Sequence, residues 1–509
     1  MNATLAKLKS HFTNWREWEL NPIVIKELRQ GVRSWTVTGM LLLFLVVLFI
    51  TSLGFLITES FNVNSNMGLG GTMFSSFMVI LAGASVLFIP LYTAVRVAVE
   101  RQENNPDLLY VTTLSATRII FGKFLCSAYI VLLFFSACMP FMAFTNLLRG
   151  VDLPTVFFIL TFLFLAVCAV NMVAIFLACL PMSLAFKILF AIGGFISSFF
   201  VIGSMMGLSF VFMRSGVGAM MADRNFWIGT LTAASMGIAV TGLFFVLSVA
   251  LILPPSANRA LGPRVYLTVF WLVGGILSLS WVAQTHDSTL LVAWIYPTFG
   301  AMVLALLVTI SNSDHLSLRV RRKIPQRGLI RFVAFFFFNG AAGGVAWIAG
   351  IAIITGFVTR GIMRLYPTVG VMTEDTRESL ITMSAYAMAY ALTALFIHRR
   401  FLSRRPPKLA GLLAILLAGG WAIAPSIFLF FVNQLSWKSV EGLQLGNVFN
   451  VLFSRDTSQL VYHEYFAFSW LLVMIALNGK WFLLQARNFR PPEKVENPPA
   501  EAGVPPVLT

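Results

Sequence analysis

Charge is scarce in this chain. Asp, Glu, Lys and Arg make up 11% of its 509 residues, against 58% hydrophobic residues and a mean hydropathy of +0.85. A soluble domain of that length cannot bury so much apolar surface, so lipid must be the solvent for most of it. Cysteine is scarce as well. Cys126, Cys138, Cys168 and Cys179 all lie inside apolar runs at spacings that suit neither a metal nor a disulfide framework, and they read as small apolar fillers. The five histidines, His11, His286, His315, His398 and His463, read as scattered over loops and ends, with no paired spacing for a metal ion. No Gly-x-x-x-x-Gly-Lys-Ser/Thr run occurs, because Gly122-Lys123 lacks both the upstream glycine and the following hydroxyl. Without that phosphate cradle the chain cannot be its own ATPase of that class. No loop assembles a nucleophile, base or metal constellation, so no catalytic residue, cofactor or metal is expected.

Apolar runs are what the chain has in abundance. A bilayer core about 30 Å thick needs roughly 20 apolar residues per spanning helix. Twelve runs meet that length: 36–57, 72–97, 119–147, 153–180, 185–212, 226–254, 265–283, 288–311, 329–357, 379–398, 409–432 and 465–486. They do not alternate in polarity, so they are helices and not barrel strands. Gly193-Gly194 is expected to interrupt the fifth. The interiors of these runs hold no Asp or Glu. A charge at mid-membrane costs about 2.5–3.5 kcal/mol on insertion scales and is kept mainly for ion or proton work. That absence argues against an ion-coupled carrier.

The formal net charge is +16, from 36 Lys and Arg against 20 Asp and Glu. With both termini cytoplasmic, 28 of the 36 basic residues fall on the cytoplasmic side, the asymmetry that orients membrane proteins. Membrane topology therefore accounts for the basic excess. Nucleic-acid binding would need basic patches interleaved with aromatics on a soluble domain, and there is no such domain. No cleavable signal peptide is evident, since the first apolar run is too long and follows a charged segment.

Two polar segments interrupt this pattern. Asn21-Pro22 suits the start of a helix, with Asn as cap and Pro at the first helical position. Behind it, Val24, Leu28, Val32 and Trp35 recur at helical spacing, while Lys26, Glu27, Arg29, Gln30 and Arg33 take the other side. That predicts an amphipathic helix in the interface plane, anchored upstream by Trp15 and Trp18, with Gly31 allowing a bend toward the first span. A plain juxtamembrane anchor is the simpler alternative. The second segment, Glu100–Lys123, reads ERQENNPDLLYVTTLSATRIIFGK. Pro106 can start a short helix capped by Asn105, Asp107 suits its positive end, and Leu108, Leu109 and Leu114 give it an apolar face. Ser115 can cap the third span, with Arg118 and Lys123 at the lipid boundary. A docking helix needs paired leucines between carboxylates, whereas an ordinary loop does not.

These segments, in this order, resemble the permease subunits of ABC-2 type ABC transporters. The resemblance rests on Asn21-Pro22 followed by Lys26-Glu27-Leu28-Arg29, then Glu100-Arg101-Gln102-Glu103, Leu108-Leu109, Thr112-Thr113-Leu114-Ser115 and Gly122-Lys123. It covers roughly residues 15–254. The apolar runs and the charge asymmetry predict an all-α polytopic bundle of about twelve spans, six plus six, with cytoplasmic termini; the resemblance implies that it lies in the cell (inner) membrane. It implies an elbow helix in residues 1–35, with Lys26, Arg29, Arg33 and Trp35 at the lipid interface. Residues 36–254 would form a six-span permease domain whose coupling insert, 98–118, sits in a groove of a separate ATP-binding subunit. Glu100, Glu103, Asp107, Leu108, Leu109 and Leu114 would carry that docking. Members of the family often have Gly-Thr at Asn105-Pro106 and Thr-Pro at Thr112-Thr113, so the chain departs from the pattern there. Residues 255–486 would be an accessory bundle or degenerate repeat, and 487–509 a disordered tail. The small-residue pairs Gly203-x-x-x-Gly207 and Gly340-x-x-x-Gly344 read as packing seams, and Leu445–Phe453 is long enough for an interfacial helix. The implied function is ATP-driven export, with lipids and a second permease as further partners and no nucleic acid. The rivals are an ion-coupled carrier and a non-transporting assembly protein of the same shape.

Overall fold

Every regular element among the described residues is helical, as backbone groups in lipid demand. The structure is a computed structural model, and it describes residues 22–59, 69–103, 115–148, 151–181, 184–254, 256–365, 374–432, 444–453 and 457–492. Among them, 12 helices are long and apolar enough to cross a bilayer, and the chain is a multi-pass membrane protein. It divides into two compact units, Met1–Pro254 and Pro255–Thr509.

The first unit begins with α1 (Pro22–Val32), where the missing N–H of Pro22 costs nothing because the first helical position has no partner for it. It continues with α2 (Trp35–Glu59), α3 (Leu69–Gly83), a π-helical turn (Ala84–Phe88), α4 (Ile89–Glu103), α5 (Ala116–Leu147), α6 (Leu153–Cys179), α7 (Leu184–Ser215) and α8 (Arg224–Ile252). The π turn has a local cause. Pro90 cannot donate to the carbonyl of Val86 and its ring would collide with it, so the ladder takes up an extra residue. The buried Ser85 hydroxyl donates to the Leu81 carbonyl in the same turn, at 2.6 Å. Ser115 caps α5, its hydroxyl accepting from the Arg118 amide at 3.4 Å. Phe74, Phe77, Phe134 and Leu163, all fully buried, fill the core between α3, α5 and α6.

Two expectations about α7 fail. Helix α7 runs unbroken through Gly193-Gly194, because in lipid the backbone has no better partner than its own ladder. Gly203 and Gly207 form no seam: an added Cβ at either would meet nothing within 4 Å.

The second unit contains α9 (Leu261–Thr285), α10 (Thr289–Ile310), α11 (Gly328–Phe337), α12 (Ala341–Leu365), α13 (Glu374–Phe401), α14 (Lys408–Val432), α15 (Val448–Phe453) and α16 (Thr457–Asn488). The run 329–357 is therefore not one helix. It breaks at Phe338-Asn339-Gly340, where Gly340 takes a φ of +133°, open to glycine alone at low cost. The guanidinium of Arg264, 4% exposed, donates to the carbonyls of Phe336 at 2.9 Å, Phe338 at 2.7 Å and Gly340 at 3.1 Å. The break leaves the first two without helical partners, while the third also accepts from the Gly344 amide at 3.4 Å. Gly344 gives this arginine room, since a Cβ there would lie 2.3 Å from its Nη2 and 2.2 Å from Thr309 Cγ2. Here the small-residue seam is real.

The histidines also need correction. His398 and His463 are buried inside α13 and α16, not in loops. His463 Nε2 meets Asn450 Oδ1 at 2.8 Å and its Nδ1 meets the Tyr386 hydroxyl at 3.0 Å, and that hydroxyl also accepts from the Gly446 amide at 3.1 Å. The network fastens the segment before α15 to α13 and α16.

Candidate functional site

A buried ion cluster joins α1, α4 and α5 at the root of the polar insert. On α4, Tyr92, Arg96 and Glu100 follow at intervals of four residues, which puts all three on one helix face. On α5, Lys123 lies eight residues beyond the Ser115 cap, about 12 Å along the helix. On α1, Glu27 belongs to the stripe of Val24, Leu28 and Gly31 that packs against α5.

Lys123 is the hub. Its Nζ donates to Glu27 Oε1 at 2.9 Å and to Glu100 Oε2. Arg96 Nη2 lies 3.7 Å from Glu27 Oε2 and donates to Gln30 Oε1 at 2.6 Å, while its Nη1 donates to the Tyr92 hydroxyl at 2.9 Å. Two carboxylates face two cations, so the cluster is neutral. The side chains of Glu27 and Lys123 are only 8% and 11% exposed. At that burial each charge depends on its partner, and removing one strands the other at a cost of about 3–5 kcal/mol.

The geometry corrects the reading of α1. Glu27 does not lie among the outward polar residues but in the buried stripe. Val32 and Trp35 are 58% and 83% exposed. Lys123 sits inside the bundle and not at a lipid boundary. Gly31 is helical and buried, with Cys126 Sγ and Ile130 Cδ1 3.8 Å from where its Cβ would be; the bend falls afterwards, at Arg33-Ser34. The four cysteines are free and buried.

Of the residues singled out for docking, Glu100 is engaged by Lys123. Glu103 ends α4, and its side chain, with Asp107, Leu108, Leu109 and Leu114, lies outside the described residues. Lys26 and Arg29 are exposed on α1, and Arg33 is exposed just beyond its end. Sequence reasoning missed the roles of Glu27, Arg96 and Lys123, although a signal existed. A lysine within an apolar run needs a partner, and an acid between Val24 and Leu28 on a short amphipathic helix is a candidate for it.

A second group missed in the sequence is Asn171 on α6. It is fully buried, and neither its Oδ1 nor its Nδ2 has a hydrogen-bond partner among the described residues. Such a group costs about 1–3 kcal/mol in this conformation. Among the described residues no group of three or more His, Cys, Asp or Glu could hold a metal ion.

What the ion cluster can do is mechanical. The segment between α4 and α5 starts three residues beyond Glu100 and ends just before Ser115. The Glu100–Lys123 pair ties its two flanks together, and the Glu27–Lys123 pair ties them to α1. Comparison of the chain with protein-family models, with curated proteins and with solved structures gives no match.

Proposed function

We propose that this chain is the membrane-spanning permease subunit of an ABC exporter of the ABC-2 type, driven by ATP hydrolysis on a separate subunit. The observation that carries this reading is the neutral, buried cluster that fastens both ends of the polar insert to each other and to α1. A soluble motor pressing on residues 103–114 would move α4 and α5 as one body and carry α1 with them, since sliding any of the three would expose an unpaired charge. The exposed Lys26, Arg29 and Arg33 then hold α1, as an elbow, at anionic lipid, each contributing about 1 kcal/mol. Both termini lie in the cytoplasm, the membrane is the inner membrane, and the second unit is an accessory or degenerate bundle. The catalytic work belongs to the partner, so this chain is not an enzyme.

The test is co-purification with an ATP-binding subunit, and stimulation of its ATPase in nanodiscs. Charge reversal with Glu103→Lys and Asp107→Lys is expected to abolish both while the chain stays folded and monodisperse. Unchanged binding and unchanged stimulation would refute the docking assignment. Ion-gradient-driven uptake into vesicles without ATP or partner would favour a carrier instead.

A further inference from the structure

The second unit holds a cavity of about 560 Å³ at the end where the connection after α10, the start of α12, the connection after α13 and the last turns of α16 converge. It is lined by Arg321, His398, Arg399 and Arg405, with one carboxylate, Asp314. That acid is already engaged: Oδ1 accepts from the Ala341 amide at 2.9 Å and Oδ2 from Trp481 Nε1 at 3.1 Å. The arginines are less well served. Nε of Arg321 and both Nε and Nη1 of Arg399 are buried and make no hydrogen bond among the described residues. The Arg399 guanidinium stacks over the Trp481 ring at 4.4 Å, which holds its plane and leaves its edge for a ligand. His398 Nε2 is spent on the Pro406 carbonyl at 3.2 Å. The N-terminal turn of α12, a helix of 25 residues, forms part of the wall and adds its positive end.

We propose that this cavity is a binding site for a phosphate group. Three guanidinium groups against one occupied carboxylate leave a net positive pocket. Guanidinium edges match the oxygens of a tetrahedral anion in a way that a single lysine does not. The buried nitrogens of two half-buried arginines, Nε of Arg321 and Nε and Nη1 of Arg399, gain hydrogen-bond partners when an anion supplies the acceptors. The ligand is either the headgroup of an anionic phospholipid, since basic pockets between membrane helices take such headgroups, or a free phosphate. The inference does not depend on the ABC reading, because it concerns the second unit alone.

The experiment uses the full chain, purified in a zwitterionic detergent and stripped of lipid. Binding is read by native mass spectrometry and by melting temperature, first with phosphatidylglycerol against phosphatidylcholine, then with inorganic phosphate against chloride. Retention of phosphatidylglycerol with an upward thermal shift identifies a membrane source, and a shift with inorganic phosphate alone identifies a soluble one. Arg399→Gln is expected to weaken binding at least tenfold, and the half-exposed Arg321→Gln and exposed Arg405→Gln keep the test open if that variant fails to fold. The proposal is overturned if neither phosphate source binds above its control, or if folded variants bind as tightly as the parent chain.

Discussion

The two units handle buried charge in opposite ways. In the first, carboxylates meet cations: Glu27 and Glu100 surround Lys123, with Arg96 alongside. In the second, Arg264 is satisfied by three backbone carbonyls at a helix break. The first arrangement spans three helices and resists their relative motion. The second is a staple that lets a short helix, α11, end inside the unit without stranding its carbonyls. An ion cluster between helices is a transmission element, whereas an arginine on a broken helix is a fixed joint.

The largest test of this contrast is Lys123→Met. It leaves Glu100 without its ion-pair partner and Glu27 with Arg96 alone, and should lower stability by about 3–5 kcal/mol, measured by denaturant unfolding in detergent micelles. The double variant Glu27→Gln with Lys123→Met should recover part of that loss, and additive losses would mean that the pair is not coupled. Next is Arg264→Met, which leaves the carbonyls of Phe336 and Phe338 without their donor. A loss of about 2–3 kcal/mol is expected by the same measurement, without the recovery by an acidic-partner variant that marks the first unit. An undiminished melting temperature would show that water or another donor replaces the staple.

Asn171→Leu should act in the other direction. Removing an amide that makes no hydrogen bond, at similar volume, should raise stability by about 1 kcal/mol. A fall would show that the amide has a partner in the membrane-embedded protein. Gly31→Ala has the smallest expected effect, a gain of about 0.5–1 kcal/mol from helix propensity. The new methyl would meet Cys126 and Ile130 at ordinary contact distance, so a loss would mean that α1 packs closer to α5 than it does here.

Much of this architecture could be read in advance. Eleven of the twelve apolar runs each coincide with one helix long enough to cross a bilayer, Ser115 capped α5, and Pro22 opened α1. The ninth span could not be read, because its residues 329–357 are apolar throughout and the break is stabilised by Arg264, more than 70 residues away. The place of Glu27 was misread for the same kind of reason. Hydrophobic spacing set it on the outward polar side of α1, but Lys123 on α5 draws it inward.

The amino-acid order alone determined how many segments are long and apolar enough to cross a bilayer, that they are helical, and where the polar insert falls. Transfer into lipid is a local property, adding up residue by residue along a run. Only the folded chain decided which charges are buried, where the ninth run breaks and which arginines line a cavity. Those outcomes depend on pairs such as Gln30 with Arg96 and Glu27 with Lys123, 66 and 96 residues apart. A charge inside an apolar bundle is stable only beside the partner that the packing brings to it.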